Sequence, residues 1–182
     1  SKNDRKDPKV IAGLEKDGRY FRPYIPDGVY AEIRALSGLQ VLAQSEITRL
    51  KNRIARWFSI YFPNYKGVYG NIGAVSGLMI LKVAPLPEDI VKLGVDGVTR
   101  IWRDAKLRGV GLKRAKTLVT AAEHSIGNRE AQEAARVELN ILLSDYEMQT
   151  AREAELMALI EEKITEVPYV DKLLEIKGVG LK

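Results

Sequence analysis

An all-α fold is predicted by three features of the sequence: two long heptad stripes, a stretch richer in glycine and proline between them, and no segment that alternates apolar and polar residues as a strand would. The expected architecture is a pair of long antiparallel coiled-coil helices carrying a small helical insert, with helix-hairpin-helix motifs at two glycine turns. The alternative, in which one or both long helices pair with another copy of the chain, stays open on sequence grounds.

The first stripe runs Val29, Ile33, Leu36, Gln40, Ala43, Ile47, Leu50, Ile54, Trp57, Tyr61. Asp27 is placed to cap its start, and Pro63 ends it because proline cannot continue the helical hydrogen bonding. The second runs Leu139, Leu143, Tyr146, Thr150, Glu153, Met157, Ile160, Ile164, Val167, with Glu153 the exception to its apolar character, and Pro168 stops it. Each helix would be on the order of 50 Å long. Gln40 and Thr150 are the expected polar register marks. Between the stripes the spacing predicts short helices over 72–83, 87–93, 95–106 and 112–125. Pro87 sits at a first turn, with Glu88 and Asp89 near the positive end of the helix dipole. The segment 19–25, "RYFRPYI", is expected to be extended, since each proline disfavours helix before it.

The totals narrow the class. Of 182 residues, 46% are apolar and 29% charged, which suits a folded domain rather than a disordered chain. Cysteine is absent, which excludes disulfides and thiolate metal sites and suits a reducing, cytoplasmic setting. No apolar run approaches the roughly 20 residues of a membrane span, so no membrane partner is expected. The formal net charge of +5 favours a nucleic acid over a membrane or an acidic protein as partner. The chain opens Ser1-Lys2-Asn3 and closes within a motif, so we read it as a piece of a longer protein.

The pentapeptide GVGLK occurs at 109–113 and again at 178–182. In the first copy two glycines flank an apolar residue and a helix follows, with Ala115 small enough to let two helices approach. Glycine permits the tight turn, and outward backbone N–H groups at such a turn can hold a phosphate. Arg108, Lys113, Arg114 and Lys116 would add charge. The second copy offers Lys177, Gly178, Gly180 and Lys182 in the same pattern. For either copy alone a tight turn between packed helices, with no ligand, is an equal alternative, and the presence of two apolar-centred, basic-flanked copies favours phosphate binding. Arg19 and Arg22, interleaved with Tyr20, Phe21 and Tyr24, suit contacts to RNA, and equally suit docking on another domain.

"KNDRKDPKV" sets Asp4 and Asp7 three residues apart, so on a helix both carboxylates share a face and could take part in holding Mg2+. The competing reading, favoured by spacing alone, makes Asp7 an N-cap before Pro8 and Asp4 an ordinary exposed acid. His124 reads as a structural residue near a helix end, and none of the serines carries a nucleophile signature. The aromatic group Trp57, Phe58, Tyr61, Phe62 and Tyr65 reads as core, and Arg49, Lys51, Arg53 and Arg56 as a solvated flank, with a phosphate-tracking face as the alternative.

Taken together, "NDRKDPKVIAGL", "GRYFRPYIPDGVYAEIRAL", "LKNRIARWFSIYFP", "RGVGLKRAKTLVTAAEHSIG" and "LLEIKGVG" resemble the DEDD-type insertion-sequence transposases related to the Piv DNA invertase. Some of those enzymes are guided by a structured RNA. The resemblance extends over essentially the whole chain. It implies a RuvC-like nuclease domain whose last two acids correspond to Asp4 and Asp7, then a coiled coil, then a transposase domain with a serine nucleophile. On that reading 1–26 is the tail of the nuclease domain, 27–62 the first coiled-coil helix and 63–127 the insert. The second coiled-coil helix spans 128–167, and 168–182 begins the transposase domain. The implied partners are DNA, a structured guide RNA and further copies of the chain. The first two acids are expected upstream of Ser1 and the serine beyond Lys182. This piece alone is therefore expected to be inactive and to hold Mg2+ weakly.

Overall fold

The computed structural model describes residues 7–19 and 24–176, and within them the chain is all-helical, with no strand. A first helix, α1 (Asp7–Lys16), carries Pro8 in its first turn, where a missing N–H costs nothing. It ends at Gly18, whose φ of +66° lets Arg19 N–H donate to the Leu14 carbonyl at 2.8 Å. Residues 24–27 then run without regular secondary structure into α2 (Gly28–Tyr61). Asp27 stands at the N-cap of α2 with extended backbone, but its side chain makes no capping bond.

The two heptad stripes become α2 and α7 (Gln132–Thr165), each 34 residues long. Every stripe position of α2 from Val29 to Tyr61 is buried or half-buried. Trp57 donates from Nε1 to the Ala135 carbonyl at 3.0 Å, and Gln40 donates from Nε2 to Glu153 Oε1 at 3.2 Å. The polar marks therefore differ from those expected. Thr150 is exposed, its hydroxyl satisfied within its own helix by the Tyr146 carbonyl at 2.8 Å. Gln40 instead pairs with Glu153, which had looked like a flaw in the stripe. The Thr150 hydroxyl is used within its own turn, whereas the Glu153 carboxylate reaches α2, where Gln44 joins Gln40 from the next turn at 3.4 Å.

Between these helices lie α3 (Tyr65–Val68), α4 (Val75–Val83), α5 (Pro87–Asp104) and α6 (Leu112–Glu123); α8 (Val170–Leu174) follows α7. The sequence had not suggested α3. The two helices expected over 87–93 and 95–106 are one element, α5, interrupted at Gly94, where φ is +66° and ψ 177°. That conformation is open essentially to glycine alone, so the break is written into the residue. At the start of α5, Asp89 Oδ2 accepts from the Leu86 N–H at 3.1 Å and from Arg136 of α7. One carboxylate thus closes the helix N-terminus and ties it to a neighbouring helix.

The core sits at one end of the long pair. It joins Leu50–Phe58 of α2, Phe62 just after it and Ala135–Tyr146 of α7 to side chains from α3, α4, α5 and α6. Trp102 of α5 is buried in it and donates from Nε1 to the Ser76 carbonyl at 2.9 Å. Beyond the core the buried apolar residues are few, Ala43 on α2 and Ile160 on α7. The far halves of the two helices therefore rest on a thin seam.

Candidate nucleic-acid interface

α5 and α6 pack on one another, and residues 105–111 form the turn between them. Just past the end of α5, Lys106 lies in the left-handed region at φ 53°. Leu107 N–H donates to the Trp102 carbonyl and Lys106 N–H to the Arg103 carbonyl, both at 2.9 Å, which closes the helix end. Gly109 follows at φ 77°, and a Cβ there would meet nothing, so glycine is required for its backbone angle and not for space. Gly111, at φ −164°, is extended and makes no such demand. The apolar residues of the turn, Leu107 and Val110, are half-buried against the core. Ala115 is fully buried and brings α6 in close, with Leu118, Val119 and Ala122 buried on the same helix.

This packing decides where the charges go. With its apolar positions turned inward, α6 leaves Lys113, Arg114 and Lys116 exposed. Arg100, Arg103, Lys106 and Arg108 are exposed at the end of α5 and in the turn. Between residues 100 and 116 the only acid is Asp104. Among the described residues, none of these cations forms a salt bridge, whereas Arg49, Lys82, Arg136 and Lys163 all do. A cavity of about 390 Å³ opens at the turn, lined by Val68, Gly109, Gly111, Lys113, Arg114 and Thr117.

Behind the turn, α3 and the end of α2 build an aromatic stack. Phe58 and Tyr65 lie parallel at 4.2 Å between centroids, and Tyr65 and Tyr69 follow at 5.1 Å. Arg114 Cζ stands 5.3 Å from the centre of the Tyr69 ring. Neither Tyr69 nor Val68 was singled out from the sequence, and Lys66, exposed on α3, was also missed. The readable signal was the four-residue spacing of Tyr65 and Tyr69, which puts both rings on one side of a helical turn.

The Tyr65 hydroxyl is buried without a hydrogen-bond partner among the described residues, and it lies where a Cβ on Gly77 would otherwise be. Burial pushes the pKa of Tyr65 well above the ordinary tyrosine range, with Tyr69 adding to the effect. Tyr69 is also raised by burial, against the opposing influence of Ser76 and Arg114. Tyr65 therefore stays protonated in the fold while its phenol in the unfolded chain ionises near pH 10. Its contribution to stability is complete below that pH and declines above it, by up to about 1.4 kcal/mol per pH unit, and Tyr69 acts in the same direction. Denaturant melts from pH 8 to 11 should follow this decline. Tyr65→Phe should flatten it and add about 1 kcal/mol at neutral pH by removing an unsatisfied buried hydroxyl.

The remaining sequence-predicted residues are not gathered here. Arg19 is exposed just after α1. Asp4, Arg22, Lys177, Gly178, Gly180 and Lys182 lie outside the described residues, and Asp7 is described only as the first residue of α1. Among the described residues, no group of three or more histidine or carboxylate side chains is placed to hold a metal ion. His124 caps α6, its Nδ1 2.9 Å from the Thr120 carbonyl. Among the described residues, no helix is long and apolar enough to cross a membrane. The chain matches no protein-family model, no curated protein and no solved structure.

Proposed function

We propose that this chain is the central, nucleic-acid-holding part of a DNA transposase or recombinase. In it, α2 and α7 form an antiparallel coiled-coil arm, and α5, its turn and α6 form a helix-hairpin-helix. The observation that carries the reading is the run of exposed cations through residues 100–116, with Asp104 as its one carboxylate, of which Lys113 and Arg114 line the cavity at the glycine turn. Such a cluster binds phosphodiester backbones without reading sequence, and its affinity falls with salt as counterions are released. The pairing of Trp57 with Ala135 and of Gln40 with Glu153 supports the antiparallel arm, since position rises along one helix as it falls along the other. DNA and a structured guide RNA are the partners of this reading, in the cytoplasm. Strand cleavage and transfer, with Mg2+ at a site that includes Asp4 and Asp7, would belong to the full-length parent.

Fluorescence anisotropy with labelled duplex DNA and a structured RNA, at several salt concentrations, tests it. Binding should weaken steeply with salt. Lys113→Ala/Arg114→Ala should lower the salt slope by about 1 for each phosphate that is no longer neutralised. Gly109→Val, which forces a β-branched residue to φ 77°, should also weaken binding with the helical content intact. Absence of binding to either nucleic acid rejects the reading.

A second reading is a structural, oligomerising coiled coil. It is favoured by Leu39, Leu42 and Leu159, which line an open apolar groove on the arm at 52%, 64% and 45% exposure. Light scattering separates the two: oligomers formed without nucleic acid, together with no binding in the anisotropy titration, favour the second.

A further inference from the structure

The cations around the turn are not equivalent. Arg114 is exposed, yet its guanidinium lies over Tyr69, a ring only 2% exposed, and so closes the outer end of the stack running Phe58, Tyr65, Tyr69. That stack is rigid for a packing reason. Phe58 belongs to the long helix α2, Tyr65 to α3, and both rings are buried in the core. A guanidinium stacked on an aromatic face keeps its N–H edge directed outward and loses little rotamer freedom when it meets an anion. Lys113 beside it has no comparable seat among the described residues, and a lysine held only by solvent must be ordered on binding. Arg114 also lines the cavity at the turn, together with Gly109 and Gly111.

We infer that Arg114 is the pre-positioned phosphate-binding cation of this surface, contacting a phosphodiester at the turn, and that Tyr69 is its positioning residue. The inference rests on the reading of this surface as a nucleic-acid interface. Tyr69 acts through Arg114 and touches no ligand itself. The chemistry recognised is the phosphodiester common to DNA and RNA, so the stack gives affinity without base preference.

The test titrates the whole chain against a labelled DNA duplex and a labelled RNA hairpin across a salt series. The variants are Tyr69→Phe, Tyr69→Leu, Arg114→Lys, Arg114→Ala and the double change Tyr69→Leu/Arg114→Ala, each checked for an unchanged thermal melt. Tyr69→Phe keeps the stacking face and should bind as the wild type does. Tyr69→Leu should weaken binding about three-fold with the salt slope unchanged, because the number of charges is unchanged. Arg114→Lys, an exposed change that leaves the core alone, should show the same loss even if Tyr69→Leu disturbs the fold. Arg114→Ala should lower the slope by about 1, and adding Tyr69→Leu to it should cost nothing more. Wild-type affinity in Arg114→Lys, or additive losses in the double variant, overturns the inference while the nucleic-acid reading stands. If the wild type binds neither probe, the reading falls and the inference with it. Equal effects on both probes support the shared phosphodiester, and an effect confined to one probe overturns that part.

Discussion

Gly127→Ala should destabilise the chain by about 1–3 kcal/mol, the range for a forced overpacking. A Cβ added at Gly127 would collide with the Tyr61 carbonyl, and what it meets there is backbone, not the movable end of a side chain. The segment is held at this approach, since Asn128 N–H donates to the Ile60 carbonyl at 2.7 Å. The loop before α7 thus runs directly against the last turn of α2, and the methyl can be accommodated only by parting the two. Urea denaturation of the purified variant measures the loss. Gly67→Ala is the control, because a Cβ there meets nothing and alanine favours the helix it would join. A loss below about 1 kcal/mol at Gly127 would show that the loop can slide, and that the crossing does not set the geometry of the two long helices.

Trp57→Ala should cost about 3–5 kcal/mol, the range for removing a large buried aromatic side chain. Trp57 is 1% exposed and meets Phe58 edge-on at 5.5 Å between centroids, with Tyr61 at 5.1 Å. It also bonds the Ala135 carbonyl, so its loss opens a cavity where α2, α7 and the insert meet. Trp57→Phe should cost clearly less, because it keeps most of the buried area and loses the indole hydrogen bond. The comparison is made by thermal melts with circular dichroism. Near-equal stability of Trp57→Ala and the wild type would mean that the end of the arm closes without this anchor.

Much of the architecture was legible because it is periodic. The two stripes could be followed residue by residue, and their ends were marked by Pro63 and Pro168, whose chemistry forbids continuation. The division of 87–106 at Gly94 was legible in the same way, since glycine marks where the backbone leaves the helix. The cationic turn could be read as well, from Gly109 with its need for positive φ and from charges placed opposite an apolar helix face. Partner choice across the seam could not. Glu153 looked like a defect until Gln40 and Gln44 were found opposite it, and Thr150 looked like a register mark until its hydroxyl proved to be satisfied locally. Hydrophobic periodicity reports which side of a helix is buried, and it says nothing of which residue on another helix lies across from it.

What the sequence determined by itself is therefore the helical class, the length of the two long helices, and the positive charge of Arg108, Lys113, Arg114 and Lys116 around the first GVGLK turn. These follow from local rules: period, proline and glycine conformation, and charge counts along the chain. Only the tertiary structure decided that Phe58, Tyr65 and Tyr69 stack in line and end beneath Arg114, a residue 45 positions further along the chain than Tyr69. It also decided that Gly127 must lack a side chain because the Tyr61 carbonyl passes against it. Both are contacts between segments distant in sequence, fixed by how the helices pack around a shared core, and no local pattern encodes them.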